Sequence, residues 1–327
     1  MPEPVADPAF ADPVAGAVPA GAAGAAGAAG FAGPIDPLVA EEVESSPTRK
    51  LGFMGWFSVL WLVGIVAAAI LAPVLPLSDP DESFLAIVRE PPIQDGHLLG
   101  GDGNGRDMLA RLVFGTRTSL LISVTAVLLG LLVGGFLGLV AGYMRGRVDT
   151  VLTTLFNVLL SIPALVLLLA FVAIFASSDE SASNARRVTV MIVGLAIVSV
   201  PLLGRITRAS TLSWSEREFV KASAVLGARH GRIIFREVLP NVLPAMMSIT
   251  LLGIGVSIVA EGSLSLLGVG VTDVPSWGNM ISLGRPDLAR APHIVAIPSI
   301  AVFLTVLSLN YLGDVVRARF DVREAAL

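Results

Sequence analysis

The chain has 327 residues, 54% hydrophobic and only 15% charged, where soluble domains carry about a quarter charged residues. Several apolar runs exceed the ~18 residues that can cross a bilayer, which excludes a soluble globular protein and predicts a polytopic helical one with lipid as its solvent and no nucleic-acid partner. The formal net charge of −4 says little, because placement of charge matters more than its sum here, and the absence of cysteine excludes disulfides, thiolate metal ligands and cysteine nucleophiles.

Residues 1–48 are rich in Ala, Gly and Pro, around AGAAGAAGAAGFAG, and start with the acidic MPEPVADP. They lack the basic and apolar regions of a signal peptide, and hold too few large apolar side chains to offset ordering entropy. A disordered cytoplasmic tail is the expectation. Arg49 and Lys50 then precede the first apolar run as a cytoplasmic anchor. A transmembrane domain is expected over 49–316, with spans at about 53–75, 118–143, 151–176, 188–203, 242–262 and 294–312, followed by a cytoplasmic tail at 317–327. Pro163, Pro201 and Pro298 fall within or near spans; each removes a backbone donor and can kink its helix, as a gate hinge or as an ordinary bend.

Six spans place both termini on one side, together with the 214–241 loop and most of the 22 Lys and Arg residues. The positive-inside bias makes that side cytoplasmic. In the second span, Gly130, Gly134, Gly138 and Gly142 recur at every fourth position. They predict a helix face on which a neighbouring backbone approaches closely, since association in lipid relies on packing. In the 214–241 loop Phe219, Ala222, Leu226 and Ile233 recur at helical spacing among basic residues. They predict an amphipathic helix or helix pair outside the bilayer.

Residues for chemistry are scarce. The only lysines, Lys50 and Lys221, follow no P-loop glycines, and there is no nucleophile elbow. His97, His230 and His293 are scattered, so no metal site is expected. Glu261 is the one acidic residue deep in an apolar run, where an unpaired charge costs roughly 2.5–3.5 kcal/mol. Two readings fit it: a group at a pore or gate, or a cap on a short helix starting near Ser263 or Ser265. Asn157, Asn310 and Asp314 are the remaining polar candidates, placed near span edges.

Four segments carry a family resemblance. Lys221-Ala222-Ser223, Gly227 and Leu239-Pro240 resemble the EAA signature of ABC importer permeases, Glu-Ala-Ala, three residues, Gly, nine residues, Ile-x-Leu-Pro. Lys221 stands for the Glu, Ser223 for an Ala and Glu237 for the Ile. The stretch HLLGGDGNGRDMLARLVFGTRTSLLIS resembles H-P-L-G-T-D-x-x-G-R-D-x-x-S-R-x-x-x-G-x-R-x-S-L, matching at Asp102, Gly105, Arg106, Asp107, Arg111, Gly115, Arg117 and Ser119 and departing at Leu98, Gly101 and Ala110. EGSLSLLGVGVTDVPSWGNMI resembles E-A-x-L-S-F-L-G-L-G-x-x-x-P-x-x-S-W-G-x-M. LTVLSLNYLGDVVRARFDVR resembles L-T-V-L-x-x-N-L-L-G-D-x-L-R-D-x-L-D-P-R, with Val322 for the Pro. From about Gly52 to Arg323 the chain resembles the second permease subunit of dipeptide, oligopeptide and nickel ABC importers.

That resemblance implies an all-α, six-span type I importer (MetI-like) fold in the cytoplasmic membrane of a prokaryote. It implies a homologous second permease, two ATPase domains in two chains or one fused chain, and an extracytoplasmic substrate-binding protein. ATP and Mg would be bound by the ATPases and no cofactor by this chain, which would not be an enzyme. Glu218, Phe219, Lys221, Ala222, Ser223, Leu226 and Gly227 would form the coupling helix. Arg106, Asp107, Glu261 and Trp277 would serve at a gate or external contact, or else pack external segments. Small peptides are the expected substrate; a nickel chelate, haem or a glutathione-like molecule are the alternatives. Outside the family stand an ion-coupled secondary transporter and a membrane scaffold without transport.

Overall fold

A computed structural model of the chain describes residues 52–94, 96–176, 184–272 and 274–325. The Ala/Gly/Pro-rich tail lies outside the described residues. Within them the secondary structure is helical apart from three isolated β-bridges. The helices are α1 (Phe53–Leu71), α2 (Met108–Met144), α3 (Gly146–Ser161), α4 (Ala164–Ala176) and α5 (Asn184–Ser215), then α6 (Glu218–Val225), α7 (His230–Leu266), α8 (Trp277–Gly284) and α9 (His293–Ala325). Five are long and apolar enough to cross a bilayer, and α3 with α4 passes the same test only as a pair, bent by 83° at its break.

The span helices outrun their apolar stretches. Helix α2 starts at Met108, well before the apolar run near Thr118, because Asp107 caps it by accepting the Ala110 N–H at 2.8 Å. Its first turns are mixed in polarity but buried against protein, so hydropathy alone does not mark them. Helix α5 likewise continues to Ser215, and α7 already begins at His230. The 214–241 stretch is therefore one short helix plus the first turns of a span, not a free-standing helix pair. The three prolines act differently. Pro163 breaks the third span, whereas Pro201 and Pro298 sit inside continuous helices.

The glycine series of α2 packs on α5. A Cβ on Gly134 would sit 2.2 Å from Val200 O, one on Gly138 2.3 Å from Gly204 O, and one on Gly142 2.7 Å from Thr211 Cβ. Gly130 would meet Ser199 Cβ at 2.6 Å. Strict fourth-position spacing drifts by about 40° per step in an ideal α-helix. The wider π turn at Leu131–Gly135 takes up part of that drift and keeps the four glycines on one neighbour. Matching positions rise together along both helices, so α2 and α5 run parallel. Helix α7 threads between them and α9, burying Val127, Leu203, Ile254 and Ile258 in one shared core.

At one end of the bundle, residues 72–107 fold over the helices. Arg111 is nearly inaccessible there; its guanidinium donates to Pro80 O at 3.0 Å and to Asp81 at 3.3 Å, with Asp102 at 3.6 Å. Arg89 pairs with Asp287 at 2.5 Å, tying this segment to the chain after α8. Asp107 pairs with His97 as well as capping α2. Asp107→Ala removes both partners, so thermal unfolding of the purified protein should show a loss of about 1–2 kcal/mol. Asp107→Asn keeps the cap and should recover most of it.

Candidate functional site

Helix α6 stands at the opposite end from residues 72–107 and is anchored on one side only. Val220 is buried with Trp214, Ile233, Val238, Val242, Met246 and Leu139. The Trp214 ring meets Phe219 edge-on at 6.4 Å and carries the Arg217 guanidinium over its face at 5.3 Å. Polar links brace the same end: Arg145 donates to Ser215 Oγ at 3.2 Å and Glu216 at 3.0 Å, and Tyr143 Oη bonds His230 Nδ1 at 3.0 Å.

The other side of α6 is bare. Glu218, Lys221, Ala222 and Gly227 are exposed, Ser223 is half-buried, Phe219 is 45% exposed, and Val225 and Leu226 are 88% and 86% exposed. Val225 and Leu226 leave two large apolar side chains adjacent and open at the end of this short helix. The helix stops cleanly at Gly227. The Ala228 N–H returns to Ser223 O and the Gly227 N–H to Ala224 O, both at 3.1 Å, with Gly227 at φ +82°. That is a Schellman cap, and its C′ position suits glycine because a Cβ is penalised at positive φ. No atom crowds Gly227, so Gly227→Ala should cost only about 1 kcal/mol, the conformational penalty alone. A melt of the purified protein measures it.

Near the end covered by residues 72–107, about 45 Å of helix from His230, lies Glu261. It is fully buried in the middle of a turn of α7, not at a helix start, so it does not cap a helix near Ser263 or Ser265. Its carboxyl group instead faces the N-terminus of α8. Ser276 Oγ donates to it at 2.8 Å, Ser265 Oγ at 3.2 Å and Ser119 Oγ at 3.4 Å. Ser276 in turn caps α8 by accepting the Asn279 N–H at 3.0 Å, while Ser119 accepts the Trp277 N–H at 3.0 Å. Gly262 and Gly278 let the backbones of α7 and α8 touch; a Cβ on Gly278 would lie 2.7 Å from Gly262 Cα.

Glu261 thus clamps α8 to α2 and α7. Trp277 is buried in the same junction, its indole N–H donating to Leu112 O at 3.3 Å. With Asp107, Glu261 and Trp277 all buried, none of the three is an external contact surface. Arg106, next to Asp107 in sequence, is half-buried and belongs to the loop fold. Apart from the α2 glycines, the predicted residues therefore form two separate groups at the two ends of the bundle. Sequence reading missed the pairing of Ser119, Ser265 and Ser276 with Glu261, and the anchoring of α6 through its own Val220 beside Trp214. All three serines fall inside the resembling blocks, which is the one signal that marked them.

The sequence model of the family described as binding-protein-dependent transport system inner membrane component matches residues 113–325. The chain belongs to this family. It is 37% identical over 226 residues to the glutathione transport system permease protein GsiD of Pectobacterium atrosepticum, covering 69% of this chain and 72% of that protein. To the dipeptide transport system permease protein DppC of Alkalihalophilus pseudofirmus it is 34% identical, covering 84% of this chain and 86% of that protein. To the di/tripeptide transport system permease protein DppC of Pseudomonas aeruginosa it is 33% identical, over 87% and 92%. In fold it is similar to the MetNI methionine ABC transporter in an inward-facing conformation, with TM-score 0.53 at 18% identity, over 64% of this chain and 97% of that one. The protein is accordingly a multi-pass inner-membrane permease subunit of an ABC importer. Membership sets aside the ion-coupled transporter and the scaffold. It assigns ATP hydrolysis to other subunits and makes transport depend on a binding protein.

Proposed function

We propose that this permease subunit forms half of the path through which short peptides enter the cell. Relatives over most of the chain are named for dipeptide, di/tripeptide and glutathione transport, and glutathione is itself a three-residue peptide. One substrate class covers all three. The second half of the path is a homologous permease. Two ATPase domains, in one chain or two, bind ATP and Mg, and an extracytoplasmic protein delivers the peptide. The Lys and Arg bias supports a cytoplasmic side for both termini and α6.

Helix α6 is the coupling helix in this reading. The observation that carries it is the one-sided anchoring: Val220 buried in the bundle, Val225 and Leu226 almost wholly open. An ATPase groove would cover Phe219, Ala222 and Leu226, with Glu218, Lys221 and Ser223 on the flanks. The test is reconstitution of the four-part assembly in proteoliposomes with Ala222→Arg plus Leu226→Glu. Both positions face solvent, so the chain should still fold and bind its partner permease. ATPase subunits should no longer co-purify, and uptake of a labelled dipeptide should stop. Normal ATPase binding and uptake in this variant would remove α6 from the coupling role.

A further inference from the structure

Helix α3 has three faces, and the role above uses none of them. Asp149 and Phe156 lie against α5: Asp149 forms a bidentate pair with Arg208, one arm at 2.7 Å, and a Cβ on Gly204 would sit 2.6 Å from the Phe156 ring. Val151, Leu155, Val158 and Ile162 form a second face, apolar and exposed. Thr150, Thr154, Asn157 and Ser161 form a third, polar and exposed, confined to about 60° of arc at 100° per residue. Lipid covers the second face at no cost, but it does not suit the third.

The hydroxyls on the polar face are internally satisfied. Thr150 donates to Gly146 O at 3.1 Å, Thr154 to Thr150 O at 2.7 Å and Ser161 to Val158 O at 2.7 Å. They offer free lone pairs and no free proton. Asn157 is different: its carboxamide has donors and an acceptor, and among the described residues nothing bonds to it. It sits one turn before the break, not at a span edge.

The break supplies an independent argument. Ser161, Ile162, Pro163 and Ala164 are all exposed, and Pro163 has no N–H to offer the end of α3. Below the break α3 touches α5 at Gly204; above it Phe171 and Leu168 of α4 touch α5 at Gly194, at 3.1 and 3.3 Å from a Cβ there. The break is thus level with the middle of α5, near Val200 and Pro201. Irregular backbone at that depth is tolerated only where protein buries it or water reaches it, never against lipid.

We propose that the Thr150–Thr154–Asn157–Ser161 face and the Ser161–Pro163 break line a water-filled translocation pathway, and that Asn157 hydrogen-bonds the backbone amides of a passing peptide. The lining rests on the importer role, and the occupant on the peptide reading above. A peptide amide has one donor and one acceptor, which a carboxamide matches. The hydroxyl lone pairs beside it accept from peptide N–H groups without fixing a charge, so the stripe holds its cargo weakly enough to release it.

The chain has no cysteine, so single thiols report unambiguously. Thr154→Cys, Asn157→Cys and Ser161→Cys are compared with Val151→Cys and Leu155→Cys in the complete transporter, with cysteine-free partners, in proteoliposomes. The probe is a charged, membrane-impermeant thiosulfonate, applied with and without ATP. The three polar-face thiols should react about tenfold or more faster, because a thiol in lipid stays protonated and unreachable. Dipeptide should slow labelling at Thr154→Cys and Ser161→Cys, where the Asn157 carboxamide is intact. Reaction at all three polar positions as slow as at Val151→Cys, in both nucleotide states, overturns the lining. Fast labelling at Thr154→Cys and Ser161→Cys that dipeptide, tripeptide and glutathione all leave unchanged overturns the amide contact alone. Uptake of the same three compounds by the wild-type transporter tests the peptide reading separately. Co-purification of partners shows that each variant assembles, and the near-isosteric Ser161→Cys keeps the comparison standing if Asn157→Cys does not.

Discussion

Glu261→Ala is expected to destabilise the protein by about 3 kcal/mol or more, the largest effect of any single truncation described above. The side chain is fully buried, and its two oxygens accept from Ser119, Ser265 and Ser276. Each buried donor left without an acceptor costs about 1–3 kcal/mol, although a serine that turns to a backbone carbonyl recovers part of it. Ser276 also caps α8 and Ser119 holds the Trp277 N–H, so the loss spreads to both. Glu261→Gln keeps one acceptor oxygen but points an NH₂ group into a ring of donors, and should fall between wild type and alanine. Thermal unfolding of the purified transporter measures both. The local consequence is freer movement of α8, seen as faster hydrogen exchange across residues 276–284 in Glu261→Ala. A variant that melts with wild type and keeps α8 protected would remove Glu261 from the clamp.

The second large effect is at the α2–α5 contact. In Gly138→Ala the new Cβ would stand 2.3 Å from Gly204 O and 3.0 Å from Gly204 C. Backbone atoms cannot swing aside as a flexible side chain can, so the two helices must separate. Overpacking of this kind costs about 1–3 kcal/mol, against which the better helix propensity of alanine returns at most about 1 kcal/mol. Combining it with Gly134→Ala, whose Cβ meets Val200 O at 2.2 Å, should lower the amount of folded protein in the membrane sharply. Gly64→Ala is the control. It lies within α1 with nothing in reach of a Cβ, so the same substitution should there be neutral or stabilising. Equal behaviour of Gly64→Ala and Gly138→Ala would show that close backbone approach is not what the α2 glycines provide.

The two sites differ in how far local sequence announces them. Four glycines at a spacing of four mark a helix face without any knowledge of the partner, because register along one helix is a local property. Glu261 announces only that something must receive it. Ser119 is 142 residues away along the chain, and Ser276 is 15 away across a turn of non-helical chain. No periodicity links them. The reading of Glu261 as a cap on a helix near Ser263 or Ser265 failed for a related reason: α7 runs through Glu261 to Leu266 and ends instead in a Schellman cap, with Gly268 at φ +80°. The helix end is one full turn later than the acidic residue suggested.

By itself, the sequence determined the solvent and the family. Runs of uncharged residues long enough to cross a bilayer leave helices as the only economical fold, since every backbone polar group in lipid must be satisfied within its own segment. Motif spacing did the rest, because blocks such as EGSLSLLG and SWGNM keep their order whatever they touch. Tertiary structure alone decided what each block is for. It turned the third span into α3 and α4 with an 83° bend, buried Trp277 instead of displaying it, and joined Glu261 to α8. The reason is physical. Solvent choice and helix length depend on residues a few positions apart, whereas burial, bends and hydrogen-bond partners are set by which distant segments pack together.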